Sequence, residues 1–200
     1  MSAPAAPGGL LADAGDTFTL HAWRHPRATG AEGRCIGRTD LPVDARRAKR
    51  LAHRIRAQAR RQGLPPIVVT SPLQRSRAVG RWLARWGWRH RVDPALAEMD
   101  FGAWDGRAWA AIAQADIDAW CADFEAHAPG GGESVAAVLA RVRGFDPGRA
   151  RIVVTHGGWI SAARWWTEQG TRPPTAADWP APPKSATLTL LTWRCRETAG

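Results

Sequence analysis

Phe18-Thr19-Leu20-His21-Ala22-Trp23-Arg24-His25 is an apolar run that ends on a guanidinium and an imidazole. A second run, Ile152-Val153-Val154-Thr155, ends the same way on His156 and is followed by Gly157-Gly158. Both read as short strands. In an open α/β sheet, ligands bind beyond the carboxyl ends of parallel strands, at the crevice where the chain direction switches. Two strand-end histidines can therefore meet over one pocket. Imidazole can attack phosphorus, and Arg binds phosphate through a fork of donors. The pair points to phosphoryl transfer through a phosphohistidine.

Outward from these runs, strands alternate with helical segments. Residues 17–24 form the first strand. Asp44 can cap a helix that runs to about Gln62, with Ala48, Leu51, Ala52 and Ile55 on its apolar face and arginines on the solvated one. Pro66 to Thr70 is a buried strand, and Ser71-Pro72 starts the next helix, with Pro in the first turn. Val79, Trp82, Leu83 and Trp86 give that helix an apolar stripe, so both tryptophans are expected in the core. Arg89 to Val92 is a further strand.

The stretch 97–106 reads as loop, followed by a helix from about Arg107 to Ala126 and a turn at Pro129-Gly130-Gly131-Gly132. Another helix is marked by Val135, Val138, Leu139 and Val142. Beyond the strand at 151–155 and a helix from near Gly158, the Pro-rich stretch 173–183 reads as a surface connection, and Ala186 to Trp193 as the last strand. The expected architecture is a three-layer α/β/α sandwich with a mostly parallel central sheet.

The chain's 200 residues, 44% of them apolar, fit one domain at 17–200 with a helical, lid-like insertion at about 94–145. The Ala-, Pro- and Gly-rich residues 1–16 lack the basic start and apolar centre of a signal peptide and read as a disordered tail. No run reaches the roughly 18 apolar residues of a membrane span. Cys35, Cys121 and Cys195 are odd in number and form no CxxC, which indicates neither a disulfide framework nor a zinc site and fits a reducing cytoplasm. The net charge of +10 is almost all Arg, since only Lys49 and Lys184 are lysines. With abundant Ala, Gly and Pro, that is the composition of a GC-rich genome rather than of a nucleic-acid binder, though it still steers anions.

Five segments carry the chemistry, and each alone has a bland reading: a strand-end histidine, a solvated arginine, an exposed carboxylate. They are Arg24-His25-Pro26, Ser71 to Arg75, Glu98 to Gly106, Gly131-Gly132-Glu133-Ser134 and Thr155-His156-Gly157. In that order they resemble the RHG, SxxxR, E-x-x-x-G-x-W-(D/E)-G, GGES and (S/T)-H-G motifs of the histidine phosphatase superfamily, the phosphoglycerate mutase-like fold. Within it, Leu96 to Trp104, together with Ala119-Trp120-Cys121-Ala122-Asp123-Phe124 leading into the Gly-rich turn, resembles the α-ribazole phosphatases of cobalamin synthesis.

The resemblance implies a role for each residue. His25 is the nucleophile. Arg24, Arg75 and His156 clamp the phosphoryl oxygens, with Gly157 beside them, and Glu98 protonates the leaving ribose oxygen and then activates water. It implies a small anionic phosphomonoester as substrate (α-ribazole 5′-phosphate or cobalamin 5′-phosphate), with no metal, cofactor, nucleic acid or membrane partner, in a monomer or homodimer. Trp104 or Trp120 is expected to pack against the benzimidazole. The pattern is broken at Pro26, which replaces Gly, at Ala28 and Ala31, which stand where Thr and Asn are usual, and at Val79 in place of Thr. Arg34 or Arg38 is expected to bind the anion in place of the Asn that Ala31 replaces. The alternatives are a histidine phosphatase for another small phosphomonoester, of sugar phosphate or phosphoglycerate type, a mutase, and a non-catalytic basic binding protein.

Overall fold

Neighbouring residues of the central strands serve two different cores, which is why those strands read as unbroken apolar runs. In the computed structural model, which describes residues 17–194, the strands are β1 (Thr17–Arg24), β2 (Ile67–Thr70), β3 (Arg89–Val92), β4 (Ile152–Thr155) and β5 (Leu188–Arg194). The expected tail at 1–16 and Cys195 lie outside the described residues. Ala22, Val69 and Val153 belong to one apolar cluster, whereas Trp23, Val68 and Val154 belong to the other.

Helices α1 (Ala45–Arg61) and α2 (Gln74–Arg85) cover the second cluster with Leu51, Ile55, Val79 and Leu83. Helices α4 (Val135–Arg143) and α5 (Gly157–Gln169) cover the first, with Val138, Val142, Trp159 and Ile160. The sheet order is β3-β2-β4-β1-β5. Its pairings are parallel except for β5, which lies antiparallel on β1. The result is the expected mostly parallel α/β/α sandwich. Arg89 and Arg91 are exposed on the edge strand β3, where charge discourages pairing with another chain.

Three local expectations change. Helix α2 begins at Gln74, not at Ser71-Pro72, because its cap comes from elsewhere. Leu73 offers no capping side chain, and Asp40 Oδ1 instead accepts from the Gln74 N–H at 2.6 Å. The helix expected over Arg107–Ala126 is shorter. A 3₁₀ turn at Trp109–Ala111 precedes α3 (Gln114–Ala122). Cys35 N–H donates to the Arg107 carbonyl at 2.9 Å and Trp109 N–H to the Gly33 carbonyl at 2.9 Å, so the backbone at 107–109 is spent on the loop at 33–35. Trp82 and Trp86 are half-buried rather than core. Lys49 and Arg85 lie 5.1 and 4.8 Å from the Trp82 ring, and Arg56 lies 4.6 Å from that of Trp86. Part of the basic face of α1 thus covers indole surface through cation–π contact instead of standing free in water.

Between β3 and β4 the chain makes 3₁₀ turns at Pro94–Leu96, Gly102–Trp104, Trp109–Ala111 and Pro129–Gly131, with α3 and α4 among them. Two of these turns touch backbone to backbone. A Cβ on Gly102 would collide with the Gly130 carbonyl oxygen, and one on Gly130 with that of Phe101. Both residues have positive φ, so Gly is required there for conformation and for space. Among the described residues no helix is long and apolar enough to cross a membrane.

Candidate active site

Strand register brings the two histidines together. Arg24 is the partner of Thr155 across the parallel β1–β4 pair, so the next residue on each strand emerges beside the other. His25 N–H donates to the Thr155 carbonyl at 3.0 Å, and the two imidazole centroids are 4.9 Å apart. Thr70 pairs with Val154 in β2–β4, which sets Ser71 next to His156. Both histidines are buried, at 7% and 0% exposure, as are Arg75 at 1% and Glu98 at 7%. Four ionisable side chains buried together, without a full set of neutralising partners, mark a candidate functional site.

The hydrogen-bond network assigns the His25 tautomer. His25 Nδ1 lies 2.6 Å from the Pro26 carbonyl, which can only accept, so the proton is on Nδ1 and the Nε2 lone pair is free. Arg75 Nε–H points at that lone pair from 3.3 Å. Pro26 lacks the N–H of the Gly it replaces, yet its carbonyl performs this orientation. Ser71 Oγ accepts from Leu73 N–H at 3.2 Å and lies 2.7 Å from His156 Nε2, with the Ser76 hydroxyl 3.5 Å from the same nitrogen. His156 Nδ1 is buried and has no partner among the described residues.

Burial, then the Arg75 charge, brings the His25 pKa down to about 3, with Arg24 adding to the shift and the Pro26 carbonyl opposing it. His156 is lowered in the same way, by burial first and then by His25, Arg75 and Arg24. Both rings stay neutral near pH 7, as a nitrogen nucleophile requires. The unfolded chain takes up these protons as pH falls through the ordinary histidine value of 6.5, whereas folded His25 does so only near 3. Stability is thus full above about pH 6.5 and is lost steadily as pH falls toward 3. Thermal melts between pH 7 and 4 should show this decline, and it should be shallower in His25→Gln. Equal slopes in the two proteins would rule out a contribution from His25.

Arg75 is held by backbone oxygens. Its Nη1 donates to the Thr39 carbonyl at 2.8 Å and its Nη2 to that of Gly37 at 2.6 Å, leaving Nε–H for the pocket. That loop is fixed in turn by Asp105. The carboxylate accepts from the N–H groups of Gly37, Arg38 and Thr39 at 3.0, 2.5 and 2.9 Å, and from the Thr39 hydroxyl at 2.7 Å. Burial pushes the Asp105 pKa up, but these four donors outweigh it and hold it below the usual value. Arg24 Nη1 donates to the Pro183 carbonyl at 2.6 Å, while its Nε is buried without a partner among the described residues.

Glu98 sits against the start of α5. Oε2 accepts from the Gly158 N–H at 3.2 Å and Oε1 from its neighbour Met99 at 3.1 Å. A Cβ on Gly158 would stand 2.5 Å from Oε1, and one on Gly157 would stand 3.1 Å from the Arg24 guanidinium carbon. The glycine pair therefore makes room for the carboxylate and the guanidinium. Arg141 Nη1 holds the carbonyls of Ala95 and Ala97, both at 2.8 Å, and Arg141 is itself held by Glu133 at 3.0 Å.

A family model described as histidine phosphatase superfamily (branch 1) matches residues 20–199, nearly the whole chain. The chain belongs to the histidine phosphatase superfamily. The bifunctional protein Rv2228c of Mycobacterium tuberculosis is 42% identical to this histidine phosphatase over 104 residues, 50% of the present chain and 27% of the relative. The chain thus spans about a quarter of the length of the curated relatives it matches. A mycobacterial glucosyl-3-phosphoglycerate phosphatase solved with VO3 superposes with a TM-score of 0.65 at 28% identity, covering 86% of this chain and 90% of that one. A phosphoglycerate mutase from Thermus thermophilus gives 0.64 at 28% identity, with coverages of 90% and 95%.

Beside the histidine pair lies a cavity of about 450 Å³, lined by Arg24, Glu98 and Gly157 on one side. Phe101, Trp109, Trp120, Phe124 and Trp179 line it on the other. Trp120 stands where an aromatic wall is expected from the sequence. Trp104 is not in that lining; it is buried with Cys35 and Ile112, at 6.0 Å from the Trp120 ring. Arg34 is exposed, with its guanidinium on the Gly106 carbonyl at 2.9 Å, and Arg38 is paired with Glu133 at 3.2 Å. Their heads are engaged by protein groups, and neither lines the cavity.

The stretch 173–183 is more than a surface connection, since Ala176 and residues 179–182 wall the cavity. Trp179 within a Pro-rich run is the signal for it in the sequence. Arg141 carries no such signal, and although Asp105 stands in the Glu98–Gly106 motif, its grip on the backbone at 37–39 has no signature in the sequence.

Proposed function

We propose that this histidine phosphatase hydrolyses a small phosphomonoester through a phosphohistidine at His25, and that the substrate is α-ribazole 5′-phosphate or cobalamin 5′-phosphate. One observation supports the reading: Arg24 and Gly157, the chain neighbours of the two histidines, and Glu98 line a cavity that five aromatic side chains also line. The phosphoryl group belongs at the polar wall and a flat apolar leaving group against the aromatic one.

The steps balance as follows. His25 Nε2 forms a bond to phosphorus while the bond from phosphorus to the ribose 5′-oxygen breaks. Its electron pair stays on that oxygen, which takes a proton from the Glu98 carboxyl group. Water then attacks phosphorus, gives a proton to Glu98 and displaces His25, returning inorganic phosphate and the enzyme as it began. Arg24, Arg75 and His156 are the groups for the phosphoryl oxygens, with Arg75 Nε–H moving to them from the His25 lone pair. Fixed donors of this kind supply most of the stabilisation in phosphoryl transfer.

A substrate panel tests the proposal. α-Ribazole 5′-phosphate is expected to give the highest kcat/KM among α-ribazole 5′-phosphate, 3-phosphoglycerate, sugar phosphates and p-nitrophenyl phosphate. Trp120→Ala should raise KM for it several-fold, since an aromatic contact contributes about 0.5–1.5 kcal/mol beyond area burial, and should change KM for sugar phosphates little. The likeness to a glucosyl-3-phosphoglycerate phosphatase favours the second reading, a sugar or glycerate phosphomonoester. A sugar phosphate at the head of the panel would establish that reading instead.

A further inference from the structure

Residues 45–92 hold 14 of the chain's 28 lysines and arginines and none of its 18 aspartates and glutamates. A GC-rich genome explains arginine in place of lysine, but not acids missing from about a quarter of the chain. That quarter folds as one unit, α1 and α2 with the strands β2 and β3 that follow them. The helices are joined by Lys49 on Trp82 and Arg56 on Trp86, at 5.1 and 4.6 Å from the rings. Arg46, Arg47, Arg50, Arg60 and Arg81 are exposed, and no acidic side chain stands on either helix. Arg60, Arg61 and Arg85 complement the carboxyl ends of their helices. Arg46 and Arg47 do the reverse, since they stand in the first turn of α1, where the helix dipole disfavours cations. Crowding like charges on one face costs stability as well.

At the carboxyl ends of the two helices lies a second cavity, of about 500 Å³. The half-buried Trp86 and Trp88 line it with Arg56 and Arg60, and no acidic residue does. Its walls include the α1–β2 and α2–β3 connections, which enter the amino ends of parallel strands. The cavity is therefore at the edge of the sheet opposite His25 and His156.

We infer that the α1–α2 face binds single-stranded nucleic acid, with phosphates along the helix cations and an unstacked base in the cavity lined by Trp86 and Trp88. The inference goes beyond the phosphomonoesterase reading and does not depend on it. A cationic track with aromatic platforms holds single strands without sequence preference. Arg56, already on the Trp86 ring, adds a guanidinium plane on which a base can stack. A lipid surface fits less well, because the large exposed apolar side chains among the described residues, Val92, Trp109 and Leu190, all lie off α1 and α2. An acidic protein segment matches the charge but makes no use of the indoles.

The test is fluorescence anisotropy of the full chain with a labelled oligothymidylate of about 12 nucleotides, within the usual site size, carrying no terminal phosphate. Affinity should fall with salt at a log–log slope of about −0.7 per phosphate contacted. Arg46→Ala and Arg50→Ala should each make that slope shallower by about one contact. A duplex carries more charge per unit length, so a surface that reads charge alone prefers it, whereas a base in the cavity requires the single strand. The single strand should therefore bind more tightly than a duplex of equal length. Trp88→Ala should weaken single-strand binding roughly 5- to 100-fold, the effect of losing one stacked base, and leave duplex binding as it was. Hydrolysis of p-nitrophenyl phosphate should be unchanged by Trp88→Ala and by bound oligonucleotide.

No binding at low salt, a duplex held as tightly as the single strand, or a Trp88→Ala protein that keeps the preference would overturn the inference. So would polyglutamate or phosphatidylserine vesicles that bind as tightly as the oligonucleotide, or an oligonucleotide that competes with p-nitrophenyl phosphate. Should Trp88→Ala fail to fold, the exposed Arg46→Ala and Arg50→Ala carry the test, and unchanged slopes in both would sink it. A poor turnover of α-ribazole 5′-phosphate would touch only the substrate reading.

Discussion

Replacing His25 with Ala is expected to lower turnover by roughly 10⁴- to 10⁶-fold, the scale on which loss of a covalent nucleophile is felt, and to abolish the labelled phosphoenzyme on rapid quench. The other groups stay in place in such a variant, because Arg75 is held by the Gly37 and Thr39 carbonyls and His156 by Ser71, not by His25. What disappears is the free Nε2 lone pair, aimed by the Nδ1–H bond to Pro26. His156 cannot replace it, since its Nε2 is occupied by the Ser71 hydroxyl. In the wild-type protein the trapped species should be labile in acid and stable in base, as expected for phosphorus bonded to an imidazole nitrogen. A His25→Ala protein with full activity, or an acid-stable phosphoenzyme, would exclude the mechanism.

Glu98→Gln should have the second largest effect, and a divided one. With an alkyl phosphate, whose leaving oxygen needs a proton, kcat should fall about 10²- to 10⁴-fold, the usual contribution of a positioned acid. With p-nitrophenyl phosphate the leaving phenolate departs unaided, so the first step should slow far less. Water still needs a base in the second step, so the phosphoenzyme should accumulate and a burst of p-nitrophenolate should precede a slow steady rate. The amide also presents N–H groups toward the Gly158 or Met99 N–H, which costs it one of the two bonds that seat the carboxylate. Equal losses with both substrates and no burst would reduce Glu98 to a structural role.

How much of this is legible in the chain differs residue by residue. The strand-end histidines are legible because a buried parallel strand advertises itself as a continuous apolar run, and the residue after it must emerge at the sheet's carboxyl edge. Arg75 and Glu98 follow from motif spacing. Asp105 and Glu133 also stand in the motifs, but the contacts by which they hold the site do not follow from that spacing. Asp105 secures the loop at 37–39, that loop grips Arg75, and Glu133 with Arg141 pins the Ala95 and Ala97 carbonyls just before Glu98. Most of these links join segments dozens of residues apart, often through backbone atoms, which have no signature in side-chain pattern.

The tryptophans make the same point. Trp104 and Trp120 look alike in the chain, yet one is buried beside Cys35 and the other faces the cavity. Trp179 lies in a Pro-rich stretch that local reasoning assigns to the surface. Apolar periodicity, strand ends and the order of five short motifs were enough, without coordinates, to determine the sandwich and its mostly parallel sheet and to single out the candidate reacting groups. Only the tertiary structure decided which aromatic side chains wall the cavity, which arginines are already engaged and which buried donors remain unpaired. Local pattern follows from steric and hydrophobic preferences along the chain, whereas a pocket's lining depends on which distant backbones come within hydrogen-bonding distance of one another.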